Sequence, residues 1–243
     1  DRQGMAPGAL AASGAGVAYV TPSHQFPTGT AMPAGRRTEL LRWAYAAPGR
    51  YLIEDDYDSE FRYASRPIPA MQGMDTGGRV VYTGTFSRTL APSIRAAYLI
   101  LPETLLEVYK ARFAHGASTV SRFEQRVLCR FLSSGQYGRH LRRAGSLYRA
   151  RCAALTAALR DAFPEGRISG AGAGLHLLLT LPGRNEADLA ARAAAAGYRV
   201  RTLGEYCRGP SPLPGSLVLG FAGLDTAAAP EAVGDLARAF GGM

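Results

Sequence analysis

The chain has 243 residues, 47% of them hydrophobic and 19% charged, with a formal net charge of +9. That profile supplies a globular core, and no apolar run is long enough to span a bilayer. Of the 28 basic residues only Lys110 is a lysine, so the positive balance reads as compositional, not as a nucleic-acid surface. Cys129, Cys152 and Cys207 lie far apart without metal-ligand spacing, which predicts reduced thiols in a cytoplasm and no metal site. The opening "DRQGMAPGALAASGAG" carries neither a basic leader nor a signal-peptide core, and Met5 sits in a loop-like stretch. We expect a fragment of a longer chain.

"GVAYVTPSH" (16–24) predicts a buried strand running into a loop with Pro22, Pro27 and Gly29. "RRTELLRWAYA" places Leu40, Leu41, Trp43 and Ala44 on one helical stripe. "RYLIEDDYDSEF" sets a short apolar strand before a cluster of acids, and "RVVYTGTFS" and "RAAYLIL" are two more strands. This alternation predicts an α/β fold with a mainly parallel sheet, whose ligands gather beyond the carboxyl ends of the strands. "ETLLEVYKARFAHG" and "STVSRFEQRVLCRFLSSG" read as amphipathic helices, the second opened by Ser118 or Ser121 and closed near Gly135. A long arginine-rich helix over 137–162 follows, and we assign it to solvent rather than to DNA. "GLHLLLTL", "YRVRTL" and "SLVLGFAGL" predict strands, and "NEADLAARAAAAG" and "AAAPEAVGDLARAF" predict helices. "GAGAG" (170–174) precedes a strand instead of opening a helix, so it is a turn. The expected organisation is a large-domain remainder over 1–104, a helical connection over 105–162 and a smaller α+β domain over 163–243.

The chemistry concentrates at the strand ends. Asp55 and Tyr57 lie two apart on an extended segment, so both side chains face one way. Thr85 and Ser87 offer hydroxyls, Arg88 and Arg95 offer guanidinium groups, and His24 or Gln25 stands in the first loop. A pyridoxal phosphate site asks for such groups: hydroxyls and an arginine for phosphate, a carboxylate for the pyridine nitrogen, a phenol for the ring oxygen, and a lysine for the aldehyde. Taken singly, each has a plainer reading. An acid cluster is commonly a solvated loop or a helix start, Thr85 and Ser87 form turns, and His24 makes a structural hydrogen bond.

The ordered stretches "YVTPSHQFPTG", "IEDDYDSEFRY" and "YTGTFSRTLAPSIRAAYLI", with "RRTELLRWA", "HLRRAGSLYRAR" and "LVLGFAGL", resemble the fold-type I aminotransferase-like domain of MocR-type regulators. These belong to the GntR superfamily and include GabR-like and PdxR-like proteins. The resemblance covers essentially the whole chain. It implies a partial large domain of the pyridoxal-phosphate-dependent transferase fold and a smaller C-terminal α+β domain. It also implies a winged helix-turn-helix domain ahead of this sequence, through which DNA would be bound, and a homodimer in the full-length protein. By position it makes Asp55 the partner of the pyridine nitrogen, Tyr57 that of the ring oxygen, and Thr85 and Arg95 the phosphate ligands. Ser87 and His24 join them as cofactor-binding candidates, and Arg88 occupies the Schiff-base lysine position.

Arg88 is a departure from the family. A guanidinium has delocalised lone pairs and stays charged, so it supplies no neutral amine and shuttles no proton. Lys110, 22 residues later on a helix, reads as an ordinary exposed lysine. The expectation is therefore an aminotransferase fold impaired in catalysis, with noncovalent or weak cofactor binding and a small amine or amino-acid effector. As a fragment exposing apolar sheet edges, it should be poorly soluble. The competing readings are a fragment of a free-standing aminotransferase acting on an amino acid, and a decayed gene.

Overall fold

The computed structural model describes residues 1–63, 68–113, 115–116 and 118–241. The chain divides into two compact units, one made of Asp1–Gln25, Thr30–Glu60 and Arg66–Arg142, the other of Phe26–Gly29, Phe61–Ser65 and Arg143–Met243.

The first unit holds a four-stranded sheet in the order β1 (Val17–Val20), β2 (Tyr51–Asp56), β3 (Val80–Thr85), β4 (Ala97–Ile100). The first three strands run parallel and β4 returns antiparallel to β3, so the mainly parallel sheet expected from the alternation is present. Helix α1 (Pro7–Ala12) precedes β1, and α2 (Ala34–Tyr45) and α3 (Met71–Met74) follow β1 and β2. The segment before β1, expected to be loop-like, thus carries a short helix. Pro7 at the first helical position and the alanine-rich turn behind it explain the helix.

The two faces of the sheet differ. Ala18, Val20, Leu52 and Val80 are buried in one cluster with Leu40, Leu41, Trp43, Ala44 and Met71, the helical stripe foreseen for α2. On the opposite face Val17 is 52% and Tyr19 57% exposed. The first strand is thus half-exposed, not buried as expected; its residues, Val-Ala-Tyr-Val, show no polar alternation to mark the open side.

Below β2 the acids invert the solvated-loop reading. Glu54, Asp56 and Asp58 are all buried. Glu54 accepts the amides of Met71 and Gln72, each at 2.9 Å, and so caps α3 from a distant strand. Arg37, also buried, donates to the carbonyls of Met32, Pro69 and Pro22 at 3.1, 2.8 and 2.9 Å and lies 4.0 Å from Glu54. Burial raises the Glu54 pKa, and the two amides and Arg37 oppose that rise.

After β4 come α4 (Glu103–Phe113), α5 (Arg122–Ser133) and α6 (Gln136–Ala162). Ala114, inside the stretch read as the first of these helices, lies outside the described residues. Ser121, not Ser118, opens α5 through a reciprocal capping box with Glu124. The arginine-rich α6 begins in the first unit and ends in the second.

The second unit holds an antiparallel sheet, ordered β5 (Arg167–Ser169), β6 (His176–Thr180), β8 (Ser216–Gly220), β7 (Arg201–Thr202). Leu177, Leu179 and Leu217 pack with Leu155 and Leu159 of α6, Leu189 of α7 (Glu186–Ala195) and Val233 of α8 (Ala229–Ala239). "YRVRTL" forms only the two-residue β7, and 170–174 is the expected turn, with Gly170 and Gly174 at positive φ.

Candidate functional site

Register places the candidate residues on the open face of the first sheet. Asp55 pairs with Thr83, so its side chain shares a face with Thr83 and Thr85 on β3 and with Tyr19 on β1. Tyr19 donates its phenolic hydrogen to Asp55 Oδ2. Burial raises the Asp55 pKa; the Tyr19 bond lowers it, and Asp56 and Asp58 raise it further. The Tyr19 phenol is pushed up to about 12 by loss of water around the hydroxyl and by its bond to Asp55. Asp55 is thus a carboxylate short of a cation, with one oxygen occupied and Oδ1 without a hydrogen bond among the described residues.

Just past β2, Tyr57 donates to the carbonyl oxygen of His24 at 2.6 Å. Burial pushes its phenol up, with Asp58 adding and the nearby Arg88 charge opposing. The His24 ring is buried and its Nδ1 lies 3.0 Å from Asp58 Oδ2. Its Nδ1 is therefore taken up by Asp58, and its backbone carbonyl is what positions Tyr57.

The loop from β3 to β4 carries the rest. Thr85 accepts the amide of Ser87 at 3.1 Å and donates to the Ala96 carbonyl at 3.3 Å, the local turn expected of a Thr-x-Ser stretch. Phe86 N–H donates to Ala96 O at 3.0 Å, closing the loop, and Leu90 N–H donates to Phe86 O at 2.8 Å. Thr89 is buried and clamped by two residues of α6: Tyr137 donates to its hydroxyl at 3.1 Å, and His140 Nε2 to its carbonyl at 2.7 Å. Arg88 and Arg95 are exposed, and neither hydrogen-bonds or ion-pairs with a described residue. Arg95 adopts the left-handed region at φ 50°, uncommon for a residue with a side chain. A Cβ at Gly84 would lie 2.4 Å from the tip of the exposed Tyr98 ring across the pair, so a larger residue there would make that ring turn aside. Lys110 is exposed and paired with Glu107 at 3.0 Å, as an ordinary surface lysine.

These groups make complementary demands. Two uncommitted guanidiniums beside the Ser87 hydroxyl call for an anion, and a poorly hydrated carboxylate amid other acids calls for a cation. A pyridinium ring bearing a phosphate meets both, so the residues present fit that cofactor. A groove of about 690 Å³ in the same unit, bordered by Phe86, Ala97, Leu128 and Cys129, includes none of the candidate residues and is apolar. The acids, the loop hydroxyls and the arginines are the candidates that the sequence offers. Tyr19 is not among them, because the sequence of β1 does not mark which side of the strand is open.

No family model matches the sequence. The chain is 44% identical over 182 residues to the uncharacterized HTH-type transcriptional regulator YhdI of Bacillus subtilis, covering 74% of this chain and 39% of that protein. It is 35% identical over 224 residues to the probable rhizopine catabolism regulatory protein MocR of Rhizobium meliloti, covering 91% and 45%. It thus spans less than half the length of these curated relatives. Pyrococcus horikoshii kynurenine aminotransferase superposes with a TM-score of 0.87 at 26% identity, over 99% of this chain and 62% of that one. Regulators of the MocR type along the sequence and a fold-type I aminotransferase in three dimensions converge, and the chain belongs to the aminotransferase-like region of the MocR-type HTH regulators.

Proposed function

We propose that this chain is the ligand-sensing region of a MocR-type transcriptional regulator and binds pyridoxal phosphate noncovalently, without transamination. Asp55 holds the pyridine nitrogen through Oδ1, with Tyr19 bonded to the other oxygen. Tyr57, whose hydrogen goes to the His24 carbonyl, holds the ring oxygen by accepting the ring hydroxyl's hydrogen. Ser87 and Arg95 hold the phosphate, and Thr85, whose hydroxyl donates to the Ala96 carbonyl, sets the turn that carries Ser87. Such a cofactor, when bound, supplies a ring that acts as an electron sink. Arg88 stands where a lysine would be needed to bond it, and no side chain of the open face offers a neutral amine. The state of the pocket, set by cofactor and a small amine or amino-acid effector, passes to a winged helix-turn-helix domain of the full-length cytoplasmic homodimer. The higher identity to HTH-type regulators, 44% and 35% against 29% for an aromatic-amino-acid aminotransferase, supports this over a free-standing enzyme.

The observation that carries the reading is the pairing of uncommitted guanidiniums in the β3–β4 loop with the cation-seeking Asp55. Borohydride treatment of the protein mixed with pyridoxal phosphate, followed by dialysis and mass spectrometry, tests it. The expected result is saturable binding that dialysis reverses and no phosphopyridoxyl group on the protein. A phosphopyridoxyl mass on Lys110 overturns it, as does the absence of any binding.

A further inference from the structure

The amine position is occupied by a permanent charge that nothing in the described structure uses. Arg88 sits in the turn closed by Leu90 N–H and Phe86 O, and its neighbour Thr89 is buried and clamped by Tyr137 and His140. Its backbone is therefore fixed while its side chain is exposed and takes no partner among the described residues. The charge stands close enough to act on the Tyr57 phenol. Arg95, at the other end of the same loop, is also uncommitted.

One loop thus presents two uncommitted positive charges, and in the site described above a phosphate takes only one of them. On a pyridoxyl ring the substituent at C4 adjoins the phenolic oxygen, so a ring oxygen held by Tyr57 brings the C4 substituent toward Arg88. An aldehyde offers the guanidinium a dipole only, and an aminomethyl group brings a like charge and is repelled. A carboxylate accepts the two parallel N–H groups of the fork in a charge-assisted pair.

We propose that the site selects a pyridine phosphate whose C4 substituent carries a carboxylate, and that Arg88 is the selecting residue. The class includes the oxidised cofactor, 4-pyridoxic acid 5′-phosphate, and amino-acid adducts of the cofactor, of which N-phosphopyridoxyl-glycine is a stable form. The proposal rests on the reading of the site given above.

Calorimetric titration of the protein with four ligands tests it: pyridoxal phosphate, pyridoxamine phosphate, 4-pyridoxic acid 5′-phosphate and N-phosphopyridoxyl-glycine. At least one of the two carboxylates should bind about tenfold or more tighter than pyridoxal phosphate, with pyridoxamine phosphate weakest. Which carboxylate leads tells oxidised cofactor from amino-acid adduct. Arg88→Gln should collapse the ratio between the leading carboxylate and pyridoxamine phosphate toward unity. Arg88→Lys should reduce that ratio and yield a borohydride-reducible adduct with pyridoxal phosphate. The wild-type ranking needs no variant to fold. If pyridoxal phosphate binds as tightly as both carboxylates, the inference falls and the cofactor site stands. A ranking that survives Arg88→Gln also overturns it. If none of the four binds, the site reading itself fails, and the inference with it.

Discussion

Tyr19 donates to one oxygen of Asp55 and leaves the other open, so it orients the carboxylate as well as partly offsetting its raised pKa. Tyr19→Phe should weaken pyridoxal phosphate binding by about fivefold, the worth of one hydrogen bond of about 1 kcal/mol. Because the effect runs through Asp55, it should vanish for the 1-deaza analogue, which lacks the ring nitrogen. Equal losses for both ligands would make Tyr19 a packing residue instead. Glu60 makes a second residue-scale case. Its side chain reaches the surface, yet its carboxyl is pushed from 4.5 up to about 7, first by loss of hydration and then by Asp56 and Asp58. A folded-state pKa above the unfolded one means that folding favours the protonated form. Its stabilising effect is complete below about 4.5 and is lost as the pH rises through about 7. The melting temperature should therefore fall across that window, and Glu60→Gln should flatten the fall; an unchanged slope assigns the proton to another group.

At the scale of elements, the periodic parts were legible. The Leu40, Leu41, Trp43, Ala44 stripe forms the buried side of α2, and α5 through α8 lie close to where apolar spacing and caps put them. Three features escaped for identifiable reasons. The helix α1 is only six residues long, too short for a period to show. The strand β7 keeps two residues because only Arg201 and Thr202 find ladder partners on β8. The acids of β2 looked solvated because sequence cannot reveal that Arg37, from α2, lies 4.0 Å from Glu54, or that α3 presents two free amides to the same carboxylate. The candidate site was legible as a set of residue types at strand ends. Its wiring was not: the Tyr19–Asp55 and Tyr57–His24 bonds join residues 36 and 33 positions apart.

At the scale of the whole molecule, large apolar side chains remain in water. Phe123 is 76% and Val127 51% exposed, one turn apart on α5, and Val17 and Leu99 are more than half exposed on the open sheet face. Burying such surface is favourable by about 25 cal/mol per Å², so contact between chains is driven forward. Sedimentation velocity over a concentration series should show self-association, and the double variant Phe123→Ser/Val127→Ser should shift the distribution toward monomer. A single monomeric species at every wild-type concentration contradicts this. Among the described residues no helix is long and apolar enough to cross a membrane, so these side chains are not part of a helical span. The antiparallel return of β4 has a different outcome. Thr85, Ser87, Arg88 and Arg95 all ride on a single excursion that begins and ends on neighbouring strands and ties its own neck. On the proposed function, the positions that separate a noncovalent reader from a bond-forming relative all fall within that one excursion, and exchanging it would leave the two strands that carry it in place.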